Sequence, residues 1–214
     1  MKNGTLFFFG LFASLTVSFA VVLLANHQLG ALTPYFDDGE GKAFPDRMPG
    51  VAARGQLVYR DLGCASCHTQ QVRRPGFGAD QTRGWGERQS VARDYIFQPF
   101  PQLGTMRIGP DLTNSAGRKP SPLDAEDLMN LLYAGQGAMP AYAFLFDQVK
   151  VTGEVPAKAL KLMGSAAPAD GFAVVPSEQA QTLVAYLLSL NTVYDYPESR
   201  PVVQAAAQAE GAHK

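Results

Sequence analysis

The run Cys64-Ala65-Ser66-Cys67-His68 carries the clearest chemistry in this chain of 214 residues. Two thiols with two residues between them and an imidazole directly after are the attachment signature of c-type haem. Each sulfur adds to a vinyl group of the porphyrin, and the histidine reaches one face of the iron. On a turn of helix this spacing sets both sulfurs over one edge of the ring and swings His68 beneath it. The same residues could form a zinc half-site, a thioredoxin-like redox pair or a structural disulfide. Zinc needs two further sulfur or imidazole ligands, whereas the chain has no other Cys, and its remaining histidines, His27 and His213, lie near its ends. A thioredoxin-like site expects a βαβ setting, which the surrounding sequence does not offer.

A haem-ligating histidine donates its second ring N–H to an acceptor that fixes the tautomer and raises basicity, and the Pro110 carbonyl in Ile108-Gly109-Pro110-Asp111-Leu112 is the candidate acceptor. The opposite face of the iron calls for a soft ligand, and a Met/His pair raises the reduction potential. Met139 is the candidate, because it alone among the methionines sits in a loop with Gly135 and Gly137 before it and Pro140 behind it. Met129 falls inside a helix among leucines, and Met106 and Met163 are weaker choices.

The elements that must position these residues can be read from periodicity. Val51 to Leu62 reads as a helix with Leu57, Val58 and Leu62 on its apolar face, leading straight into Cys64, and Gly55 would allow another helix to cross closely. Ser121-Pro122-Leu123-Asp124 has the form of a helix start, and Leu128, Leu131 and Leu132 supply the stripe of a helix that should stop at Gly135. Ser177 should cap a last helix running to Leu190, with Leu183, Val184, Leu187 and Leu190 on one face. Residues 147–176 are expected to be a partly helical excursion, with a short turn from Ala157 to Met163.

Leu6 to Ala25 is uncharged and apolar, and at about 1.5 Å per residue it spans roughly 30 Å, the thickness of a bilayer core. A signal peptide usually has a shorter apolar region and a small-x-small cleavage site, so a retained anchor is expected. The Pro- and Gly-rich residues 30–50 suggest an extended linker. The expected organisation is a transmembrane anchor over 1–29, a linker over 30–50, a cytochrome c domain over 51–196 and a flexible tail over 197–214. Lys and Arg number 18 against 19 Asp and Glu, with no long basic run, so nothing points to nucleic acid. The segment 69–106 is rich in Arg and aromatics; it is either a solvated surface with anchoring rings, or a partner surface or a contact to haem propionates.

In combination, the helix, C-x-x-C-H, G-P-D-L, second helix, Met139-Pro140-Ala141-Tyr142 and terminal LVAYLLSL resemble a class I cytochrome c, a mainly α fold. With Arg54-Gly55 to Tyr59, His68-Thr69-Gln70, Arg73-Arg74-Pro75 and the single apolar segment, the chain resembles the monohaem subunit II of cbb3-type cytochrome c oxidases. That resemblance implies one covalent haem c, ligated by His68 and Met139. It also implies a place in the bacterial cytoplasmic membrane with the haem domain on the periplasmic side. The partners implied are the haem-copper catalytic subunit and a further cytochrome c subunit, with electrons relayed to oxygen by way of the former. Another anchored complex such as a nitric oxide reductase, a free-standing carrier, and a thiol oxidoreductase using Cys64 and Cys67 remain as alternatives.

Overall fold

The computed structural model describes residues 3–118, 122–192 and 194–200. The chain divides into two compact units, Met1–Phe44 and Pro45–Lys214.

In the first unit, α1 (Gly4–Gly30) is a single helix of 27 residues with none buried. At 1.5 Å per residue it measures about 40 Å, longer than a bilayer core is thick. Its phenylalanines, leucines and valines face outward on every side, as on a helix surrounded by lipid. It is long and apolar enough to cross a membrane, and it continues unbroken past Ala25. The segment after it departs from the expected extended linker. Strands β1 (Tyr35–Asp37) and β2 (Lys42–Phe44) pair antiparallel, Tyr35 opposite Phe44. Asp37 Oδ1 accepts the amides of Gly39 and Glu40 at 2.8 and 3.0 Å, and Gly41 takes a left-handed φ of 62°. Turn residues here close a hairpin.

The second unit is built on the crossing of α2 (Gly50–Asp61) and α4 (Glu178–Ser189). A Cβ on Gly55 would lie 1.9 Å from the Thr182 carbonyl oxygen, so only glycine permits this approach. The buried face of α2 is therefore Ala52, Gly55 and Tyr59. Leu57, expected on that face, is exposed, and Val58 only flanks the core. Small residues let the backbones meet, and the rings of Tyr59 and Tyr186 then pack edge to face with centroids 5.3 Å apart. The α4 face is as expected, with Leu183, Val184, Leu187 and Leu190 all buried and Ser177 Oγ accepting the Ala180 amide.

Helix α3 (Ala125–Ala134) begins later than its sequence suggests. Asp124 is its N-cap and accepts the Asp127 amide at 2.8 Å, while Pro122 and Leu123 precede the helix and Ser121 lies outside the described residues. It does stop at Gly135, which has a φ of 72°. The excursion at 147–176 is not helical in its arms. Strands β3 (Phe146–Lys150) and β4 (Phe172–Pro176) form an antiparallel ladder from Phe146 opposite Pro176 to Lys150 opposite Phe172. Val174 is wholly buried against the core, and its carbonyl accepts the Leu160 amide at 2.8 Å. Between the strands, 157–163 is a turn and irregular chain, and Gly164–Ala166 is one turn of 3-10 helix. The β-branched Val149, Val174 and Val175 favour strand over helix. At the chain end, Ser199 is buried and Glu198 pairs with Arg93, so 197–200 are held down; 201–214, the rest of the expected flexible tail, lie outside the described residues.

Candidate haem site

Gly63, at a φ of 70°, turns the chain sharply at the end of α2. Cys64–Ser66 then form one turn of 3-10 helix, and the Cys64 carbonyl accepts the amides of Cys67 and His68 at 3.1 and 3.0 Å. Both thiols are free and half-buried. Burial pushes the Cys64 thiol up to about 11, so it is a poor thiolate at neutral pH.

His68 Nδ1 lies 2.8 Å from the Pro110 carbonyl oxygen. A carbonyl has no proton to give, so this bond requires Nδ1 to carry the hydrogen and leaves the lone pair of Nε2 free. Two glycines missed as site residues complete the seat. A Cβ on Gly109 would stand 2.3 Å from His68 Cε1, and one on Gly104 would stand 2.2 Å from the His68 carbonyl. In sequence, Gly109 reads only as part of a turn before Pro110, because a close approach to a residue 41 positions earlier leaves no local signal.

Met139 lies in the loop that leaves α3. Its amide and carbonyl pair with the carbonyl and amide of Gln136 at 3.0 and 3.2 Å, and a Cβ on Gly135 would meet its carbonyl at 2.8 Å. Met139, Cys64, Ala65, Leu112 and Tyr142 all pack against the same core cluster. Burial first, then the nearness of the Cys64 and Cys67 sulfurs, raise the Tyr142 phenol above the ordinary range. Met106 and Met163 are 50% and 88% exposed, which leaves neither a fixed position.

The arginines of 69–106 divide: Arg73, Arg74 and Arg83 are exposed, and Arg88 and Arg93 are half-buried. Arg88 forks onto buried Asp94 with bonds of 2.9 and 2.6 Å. Asp80, wholly buried, accepts Arg107 Nη1 at 2.5 Å, the Arg73 amide at 2.7 Å and Arg73 Nη2 at 3.3 Å. Arg74 and Arg83 stand over the rings of Phe77 and Trp85 at 4.0 and 4.9 Å. One cation differs. Arg118 donates one Nη to the Asp111 carbonyl, its Nε is buried without a partner, and burial lowers its pKa. A half-buried guanidinium in that state fits a carboxylate arriving from outside the protein, such as a haem propionate.

The paired thiols, the tautomer-fixed imidazole, the methionine loop and the crossing of α2 with α4 define a cytochrome c domain, preceded in the chain by a candidate membrane span. A family model described as "Cytochrome C oxidase, mono-heme subunit/FixO" matches residues 48–170, more than half of the chain, and the chain belongs to that family. No protein of curated function matches it at a significant level.

Proposed function

We propose that this chain is the haem c electron relay of a cbb3-type terminal oxidase, held to the bacterial cytoplasmic membrane by α1, with its second unit on the periplasmic side. Cys64 and Cys67 would hold the porphyrin covalently, His68 Nε2 and Met139 would be the axial ligands, and Arg118 would take a propionate. When bound, the haem supplies a one-electron couple. The chain's own residues then have defined tasks. Pro110 holds the His68 proton on Nδ1, Gly109 and Gly104 leave room for the imidazole and its backbone, and the Gln136–Met139 pairing presents the thioether on a rigid loop.

The observation that carries this reading is the His68–Pro110 bond of 2.8 Å beside two free thiols. It prepares an imidazole for metal ligation and has no use in thiol chemistry. The thiol oxidoreductase alternative also meets the raised Cys64 pKa, since disulfide exchange begins from a thiolate. With His68 and Met139 both committed to holding the group, the domain would leave no place for a substrate and would pass electrons on to the oxygen-reducing haem-copper subunit. The test is the mass of the purified polypeptide together with its haem stain after denaturing electrophoresis. One covalent haem is expected; extraction of the haem by acid acetone would overturn the proposal.

A further inference from the structure

Asp111 is 0% exposed, and four groups converge on its carboxylate. Oδ2 accepts Thr69 Oγ1–H at 2.5 Å and the Gln71 amide at 2.9 Å, Oδ1 accepts the Thr113 amide at 2.9 Å, and Arg107 stands 3.6 Å from Oδ2. Thr69 follows His68 directly, and Pro110, whose carbonyl accepts from His68, immediately precedes Asp111. Two backbone bonds join the same segments: Gly109 N–H to the Cys67 carbonyl at 2.9 Å, and Leu112 N–H to the Thr69 carbonyl at 2.8 Å. The Asp111 side chain thus fastens together the two stretches whose separation sets the length of the His68–Pro110 bond.

The convergence demands a carboxylate. Asparagine has one oxygen and one NH2, so whichever way its amide is turned the NH2 faces a backbone N–H, that of Gln71 or that of Thr113, and neither can become an acceptor. The buried donor left over would be unsatisfied, and the two segments would shift to relieve it.

We propose that Asp111 is the positioning residue of the histidine ligand: by holding Thr69 and Gln71 to Thr113 it fixes the Nδ1–H bond to Pro110, and through it the basicity of Nε2. This rests on the reading of His68 as a haem ligand. A shorter Nδ1–H bond makes the imidazole a stronger donor and favours oxidised iron, so loosening it raises the reduction potential. Removing a buried negative charge acts in the same direction, and a second variant separates the two causes. Thr69→Val deletes one of the bonds to Asp111 with no change of charge.

The experiment uses the full-length holoprotein in detergent. A pyridine haemochrome spectrum first establishes thioether-linked haem in the parent and in each variant. The midpoint potential and the proton resonance of His68 Nδ1–H in the reduced state are then measured. Asp111→Asn and Thr69→Val should both raise the potential, Thr69→Val by less, and both should move the resonance upfield as the bond to Pro110 weakens. A potential raised in Asp111→Asn alone, or an unmoved resonance in Thr69→Val, would leave only the effect of the removed charge and overturn the positioning role. If Asp111→Asn does not accumulate, Thr69→Val decides by the same criterion. A parent without thioether-linked haem would instead overturn the haem reading, and this role with it.

Discussion

A thioether binds iron only weakly, so what distinguishes one of six methionines is how firmly the backbone presents it. Met139 is pinned by the paired bonds to Gln136 and by the approach of Gly135, whereas Met106 and Met163 lie mostly in solvent. Met139→Ala should therefore abolish the far-red iron–sulfur absorption and lower the midpoint potential, and Met106→Ala and Met163→Ala should leave both unchanged. Persistence of the band in Met139→Ala would refute the assignment. At this scale the sequence was informative where spacing is chemistry: Cys64, Cys67 and His68 fall within five consecutive residues, and Gly135, Gly137 and Pro140 frame Met139. It was silent on Gly104, Gly109, Arg118 and the role of Asp111. Their significance lies in approaches and burial between residues far apart in the chain, which no local pattern encodes.

At the scale of elements, periodicity gave α2, α3 and α4 but not the faces they use. The apolar stripe chosen for α2 put Leu57 inside, yet two helices held apart only by Gly55 have no room there for a leucine. The segment 69–106 is mixed: Arg74 and Arg83 stay exposed over rings, while Arg73 and Arg88 reach the buried carboxylates of Asp80 and Asp94, pairings that no local pattern announces. Asp80 shows the consequence. Burial opposes its ionisation, but the hydrogen bonds from Arg107 and Arg73 outweigh that and hold its carboxyl below the ordinary range. A carboxyl depressed in the folded state contributes stability that is full above its unfolded value, about 3.9, and is lost as pH falls through the lower folded value. Asp80→Asn should cost about 3 kcal/mol at pH 7, the low end of the range for breaking a buried pair because Arg73 is half exposed. The variant should also lose less of its remaining stability than the parent between pH 5 and about pH 2. Urea denaturation of the holoprotein across that range checks both statements, and parallel acid limbs in parent and variant would show that Asp80 is not responsible.

The molecule as a whole joins a helix apolar on all sides to a cytochrome domain in a family of oxidase subunits, and each part constrains what the other can do. A free carrier has no need of a helix such as α1. Diffusing redox partners are steered by exposed charge, whereas subunits that stay together meet through more apolar surface. Along the Arg-rich segment and the stretch that leads to Pro110, the apolar side chains of Phe77, Phe100, Leu103, Met106 and Ile108 are exposed, interspersed with the exposed Arg73, Arg74 and Arg83. If this chain docks there on a permanent partner, these residues make the contact and Arg88 and Arg107 do not. Deleting the chain should then abolish oxygen uptake supported by reduced cytochrome c, and detergent purification of the intact protein should bring the haem-copper catalytic subunit with it. The mature polypeptide should retain residues 1–25, and amino-terminal sequencing that begins near residue 26 would show a cleaved signal peptide instead. Copurification with a nitric oxide reductase, or isolation as a lone monomer with oxygen uptake intact in the deletion strain, would remove the oxidase assignment while leaving the haem chemistry of Cys64, Cys67 and His68 to be judged by its own test.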